Sequence, residues 1–161
     1  MSEGVSANTV LGDSRLGEIG LQQFAPYLMN RIMGRYNASL RHDLAKLGLT
    51  TPKMRALAAL SVVDGLLISQ LAVYAVVEQS TLSRSLDALE AEGLVRRNSD
   101  PEDSRATRVT ITEQGRATFE KLWPTMRASY ERIFAGIGAE EHAAFVATLQ
   151  KILINVREHN F

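Results

Sequence analysis

The sequence predicts a mainly helical α+β chain: a winged helix-turn-helix core carried between long N- and C-terminal helices. Three observations predict it. Leu82, Leu86 and Leu89 fall at i, i+4 and i+7, one face of a helix, and Gly93 follows as its stop. Leu94 to Arg97 and Val109 to Ile111 read as two short strands around a charged loop, Asn98 to Arg105, in which Asp100-Pro101 starts a turn. Apolar stripes too long for one small domain to cover occupy both ends of the chain.

In chain order, residues 1–17 are rich in small polar residues and read as a flexible arm. A helix over about residues 19–47 follows, within an N-terminal dimerisation segment 18–48. Phe24, Leu28, Ile32, Tyr36, Leu40, Leu44 and Leu47 step along it mostly by four, and Gly48 ends it. Such a stripe winds slowly round the helix axis, so a partner chain is its expected cover. Thr51-Pro52 supplies an N-cap and a proline at the first helical position. The helix it opens carries Met54, Leu57 and Leu60 and ends near Val63.

Leu66 to Ile68 form the first short strand, and Ser69 caps the next helix, with Leu71, Ala72 and Ala75 turned inward. The β-branched pair Val76-Val77 makes a tight turn before a helix that begins at Glu78. Short helix, tight turn and second helix compose a helix-turn-helix, and the whole lobe spans residues 49–112. Thr112 caps a long helix with Phe119, Leu122, Trp123, Met126, Tyr130, Ile133 and Phe134 on its wide apolar face. Pro124 inside it predicts a bend. After Gly136 and Gly138 a final helix, about 139–157, presents Phe145, Leu149, Ile152, Leu153 and Val156. Residues 113–161 are therefore expected to be C-terminal dimerisation helices, since they carry more apolar surface than the lobe can bury.

The chemistry follows from the helix at Glu78. Opposite its leucines lie Ser80, Ser83, Arg84 and Asp87. Hydroxyls reach phosphates and base edges, and an arginine chelates N7 and O6 of guanine. A helix of this size fits the major groove, while a charged hairpin reaches an adjacent groove or the backbone. The candidate DNA contacts are Lys53, Arg55, Ser69, Gln79, Ser80, Thr81, Ser83 and Arg84, with Asp103 and Arg105 in the hairpin loop. Arg96 and Arg97 are consecutive strand residues, so only one of them faces DNA.

Composition excludes several alternatives. The 161 residues hold 18 Lys and Arg against 18 Asp and Glu, a net charge of zero. The lobe itself is net −1: Lys53, Arg55, Arg84, Arg96, Arg97, Arg105 and Arg108 face Asp64, Glu78, Asp87, Glu90, Glu92, Asp100, Glu102 and Asp103. Non-specific DNA affinity is then modest and strongly salt-dependent. From Arg31 to Arg55 the balance reverses, with Asp43 the one acid. There are no cysteines, which removes disulfides, thiolate nucleophiles and thiol sensing. His42, His142 and His159 lack metal-ligand spacing. No nucleophile elbow, phosphate loop or dinucleotide loop is present, so no enzyme activity and no cofactor are expected. No apolar run spans a bilayer and the N-terminus is no signal peptide, so a cytoplasmic protein without membrane contact is expected.

The string STLSRSLDALEAEGLVRR, with DPEDSRATRVTITEQG after it, resembles the MarR family of bacterial winged-helix transcription regulators. Leu89 to Val95, Asp103 with Arg105, and Ile111-Thr112 carry the resemblance, which covers roughly residues 20 to 157. It implies that Asp103 pairs with an arginine to stiffen the hairpin, and that Arg105 enters the minor groove. It also implies release of DNA by a small aromatic or anionic molecule bound between the dimer helices and the lobe. Met29, Met33, Tyr36, Arg31 and Arg35 would line that site: methionines adapt to apolar ligands and arginine suits a carboxylate. The resulting expectation is a sequence-specific double-stranded DNA-binding regulator, a repressor, acting as a homodimer. Two-fold symmetry sets its recognition helices about one DNA turn apart on a pseudo-palindromic operator. The alternative is a winged-helix protein–protein interaction module without a DNA role, which the neutral charge favours.

Overall fold

The computed structural model describes residues 10–161. Most of the expected arm, residues 1–9, lies outside the described residues. The chain divides into two compact units, one ending at Ser39 and the other running Leu40–Phe161.

In the first unit, α1 (Leu16–Ile19) and a 3₁₀ turn (Leu21–Gln23) precede α2 (Ala25–Lys46), whose last turns belong to the second unit. The single helix expected from residue 19 is therefore broken. Pro26 explains the break, because a residue without an N–H fits only the first turn of a helix. Pro26 is the second residue of α2, and the helix starts at Ala25.

In the second unit the end of α2 is followed by α3 (Thr51–Val62), capped by the Thr50 hydroxyl, which accepts from the Lys53 amide. The expected cap was Thr51; it is the first helical residue instead, and Pro52 the second. β1 (Leu66–Leu67) leads directly into α4 (Ile68–Ala75). Ser69 is thus inside the helix rather than at its cap, and the Gln70 side chain accepts from the Leu67 amide at 3.0 Å. α5 (Gln79–Ala91) follows, then β2 (Val95–Ser99), β3 (Thr107–Ile111), α6 (Glu113–Ile133) and α7 (Ala139–Val156). α6 runs without interruption through Pro124.

The strands form one antiparallel sheet in the order β1-β3-β2, with Leu66 opposite Val109 and Val95 opposite Ile111. Leu57, Leu60, Leu71, Leu82, Leu86, Leu89, Val95 and Val109 are fully buried and make the core of the lobe, as their periodicity requires. At roughly 1.5–3 kcal/mol for each buried side chain, this cluster fixes how α5 is presented. Gly93 takes the left-handed conformation after α5 (φ 73), which frees the chain to enter β2. Beyond the core, α6 and α7 leave Trp123, Tyr130, Phe145, Ile152, Leu153, Ile154 and Val156 exposed.

Candidate nucleic-acid interface

The buried leucines of α5 force its other face outward. Gln79, Ser80, Arg84 and Asp87 are exposed, and Thr81 and Ser83 half-buried. Ser85, by contrast, is buried and its hydroxyl donates to the Thr81 carbonyl at 2.9 Å. The turn before α5 is tight because Val76 adopts φ 52, ψ 51, a left-handed conformation rare for a β-branched residue. A strained residue of this kind persists where its surroundings fix it. Arg55 does part of that, donating to the Val76 carbonyl at 3.1 Å.

A cleft of about 260 Å³ lies between hairpin and helices. It brings together Ser69 from α4, Gln79 and Ser83 from α5, and Arg105 from the hairpin loop. Four of the candidate DNA contacts, separated in sequence, therefore line one surface. The Arg105 side chain is 92% exposed and pairs with Asp103 at 3.4 Å. Arg84 is exposed and makes no ion pair with a described residue.

A second carboxylate supports the hairpin besides the one carried over by resemblance. Asp100 is buried, accepts the amides of Glu102 (2.8 Å) and Asp103 (3.0 Å), and pairs with the Arg108 guanidinium. Arg108 also donates to the Gly65 carbonyl at 2.7 Å, tying the hairpin to the loop before β1. The Glu102 amide first, then the Asp103 amide and Arg108, hold the Asp100 carboxyl below its usual pKa. Asp103, exposed, accepts the Arg105 amide at 3.0 Å and pairs with the Arg105 guanidinium at 3.4 Å, an arginine pairing of the kind the resemblance implies.

Two further expected contacts are engaged elsewhere. The Lys53 side chain is 12% exposed and bonds Glu92 at 2.6 Å, so it clamps α3 to the far end of α5. Arg55 holds the Val76 turn. Of the consecutive pair on β2, Arg97 turns back onto α5, bonding Glu90 (2.6 Å) and Asp87 (2.8 Å), while Arg96 is exposed. The paired guanidinium lowers the Glu90 pKa, and Glu90 in turn raises that of Arg97.

One carboxylate at the start of α5 is absent from the expected contacts. Glu78 is the N-cap of α5, accepting the Ser80 amide at 3.3 Å, the Ser80 hydroxyl, and the Thr81 hydroxyl at 3.3 Å. Its position just before the first helical residue is the available signal, since acidic side chains are favoured at helix N-termini.

The proposed effector residues lie in the first unit, on α2. Met29, Met33 and Tyr36 share one face, and burial raises the Tyr36 pKa. By the same periodicity Arg31 and Arg35 lie on the opposite face. Arg31 donates to the Tyr27 hydroxyl at 3.3 Å and lies over its ring. The five residues therefore do not form one cluster on the helix.

An outward polar helix beside a charged hairpin tip, set by a helix-turn-helix, defines a winged-helix DNA-binding protein. Comparison with known proteins narrows this. Residues 47–106 match the model of the MarR family. The chain is 30% identical over 125 residues to the HTH-type transcriptional repressor IacR of Pseudomonas putida, covering 78% of this chain and 75% of that one. A crystal structure of a MarR family transcriptional regulator from Silicibacter pomeroyi superposes with TM-score 0.87 at 59% identity, covering 92% of this chain and all of that one. BpsR of Bordetella bronchiseptica, described by the regulation of its DNA binding by 6-hydroxynicotinic acid, gives TM-score 0.70 at 26% identity over 80% of this chain and 97% of that one. This chain belongs to the MarR family and is a DNA-binding transcription regulator. No helix among the described residues is long and apolar enough to cross a membrane.

Proposed function

We propose that the protein is a repressor that binds a pseudo-palindromic operator as a homodimer. The observation that carries this reading is the cleft shared by Ser69, Gln79, Ser83 and Arg105, flanked by the exposed Arg84. Arg84 reads a guanine or phosphate in the major groove, and Arg105 reaches the neighbouring minor groove. The exposed apolar residues of α6 and α7 support a two-fold partner, because isolated soluble chains seldom leave so many large apolar side chains uncovered together. A small aromatic acid that releases DNA, of the same class as the 6-hydroxynicotinic acid that regulates DNA binding by BpsR, would lay its apolar part on the α2 face bearing Met29, Met33 and Tyr36.

Operators are recovered by selecting bound fragments from sheared DNA and tested by fluorescence anisotropy across a salt series. The expected result is a specific site bound in preference to random duplex, with a steep salt slope. Arg84→Ala should weaken the specific site by roughly 5- to 150-fold. Arg105→Ala should lower the salt slope by about one for each phosphate its guanidinium neutralises. Lys53→Ala is the control, since its ammonium belongs to Glu92. Variants of Arg84 and Arg105 that both bind as wild type does would move the reading surface elsewhere. A wild type with no preference among duplexes would favour the protein-contact module, for which the net negative lobe argues. Sedimentation equilibrium should give twice the chain mass.

A further inference from the structure

Counted toward its tip, the last buried apolar residues of the hairpin strands are Val95 and Val109. Beyond them Asn98 and Ser99 are exposed, and the chain runs out to the exposed Arg105. Apolar packing therefore fixes the root of the wing but not its direction. Arg97 stands at this exit, opposite Val109 in the ladder. By strand alternation it shares the face of Val95, turned toward the helices. Arg108, on the other face, is tied to Asp100 and to the Gly65 carbonyl.

Arg97 meets Glu90 of α5 at three points. Glu90 Oε1 accepts the Arg97 main-chain N–H at 2.9 Å, while Oε2 accepts Nε at 2.8 Å and Nη2 at 2.6 Å. Asp87, one turn earlier on α5, accepts Nη1 at 2.8 Å. β2 is a border strand, so this main-chain N–H has no further strand to bond. Glu90 takes it in place of one. A surface ion pair through side chains alone lets both ends swing. Gripping the main chain and the guanidinium of one residue fixes the strand itself on the helix, through charge-assisted bonds of the stronger kind.

Arg84 is carried by α5 and Arg105 by the wing, so meeting two grooves of one duplex together requires a fixed separation between the two elements. Binding constellations need their supporting side chains to hold geometry to about 0.5 Å. We infer that Glu90 is a positioning residue for DNA recognition: through Arg97 it sets the wing against α5, so that Arg105 meets its groove while Arg84 is seated in the neighbouring one. This rests on the DNA-reading function proposed above.

The test uses the full-length protein on the duplex that wild type selects. Glu90→Ala, Arg97→Met, Arg105→Ala and the two doubles with Arg105→Ala are compared by anisotropy and by hydroxyl-radical footprinting. Glu90→Ala removes a negative charge and Arg97→Met a positive one. A purely electrostatic role would therefore strengthen binding in the first and weaken it in the second. Positioning predicts that both weaken it, and that both lose the protection under the wing while keeping that under α5. Each should cost little once Arg105 is gone, a departure from additivity of roughly 2- to 150-fold. Losses that simply multiply overturn the inference and leave DNA reading intact. So does a Glu90→Ala variant that binds more tightly with its wing protection unchanged, and so does joint loss of protection under wing and helix, the mark of a loosened lobe. An Arg105→Ala variant that binds as wild type does overturns it as well, since the wing then has no contact to place. A wild type that selects no duplex overturns both readings.

Discussion

Gly115 is where the long helix α6 meets the hairpin, and replacing it by alanine should be among the most damaging small changes in the lobe. A Cβ there would sit 2.0 Å from the Leu94 carbonyl oxygen, 2.9 Å from its carbon and 3.0 Å from Cγ1 of Ile111. Ordinary contact begins at 3.4 Å, so backbone must move by more than an ångström. The Leu94 carbonyl is not free to give way, because it accepts from the Thr112 amide at 3.0 Å. Overpacking of a tight core costs about 1–3 kcal/mol, and a lost backbone hydrogen bond adds about 1 kcal/mol. The better helix propensity of alanine returns up to about 1 kcal/mol. The net loss is about 1–3 kcal/mol, which for a chain of this size lowers Tm by roughly 2–12 °C. Urea unfolding followed by circular dichroism, at one fixed protein concentration, measures it. Gly34→Ala is the internal control: nothing lies within 4 Å of its Cβ position, so α2 should gain stability. If Gly115→Ala behaved like Gly34→Ala, the close approach of α6 to Leu94 would be wrong.

Two further outcomes follow from the same geometry. Val76→Gly should raise stability by about 0.5–1 kcal/mol, since glycine takes the left-handed turn without the Cβ penalty and the side chain removed is 75% exposed; a fall in the urea midpoint would show the turn is unstrained. Asp100 has a folded pKa below its ordinary value of 3.8. Its contribution is therefore complete above that value and is lost as pH falls through the lower folded one. Asp100→Asn should flatten the acid limb of the stability profile below about pH 4, and an unchanged limb would remove Asp100 from the hairpin's support.

How much of the molecule is legible in its sequence depends on the range of the interaction involved. Leu82, Leu86 and Leu89 are legible because one-sided burial is written in local spacing, and Gly93 and Thr112 because caps act within a turn. The cleft residues Gln79, Ser83 and Arg105 are legible because a wing must lie beside its helix. Lys53 is not, since its partner Glu92 is 39 positions away and a cation's sequence does not name its acid. Asp103 is legible because its arginine, Arg105, lies two positions away, whereas Asp100 is not, since only the loop's conformation decides which carboxylate turns inward. The break at Pro26 is readable from the missing N–H of proline, but the apolar stripe running across it masks that.

The strand order has a consequence for crowded conditions. β2 forms one border of the sheet and β1, two residues long, the other. An open border invites a foreign strand to add itself and begin a fibre. Here the longer border is five residues with Arg96, Arg97 and Asn98 at its centre, and charge on a short border discourages such growth. The molecule thus resists ribbon-like polymerisation.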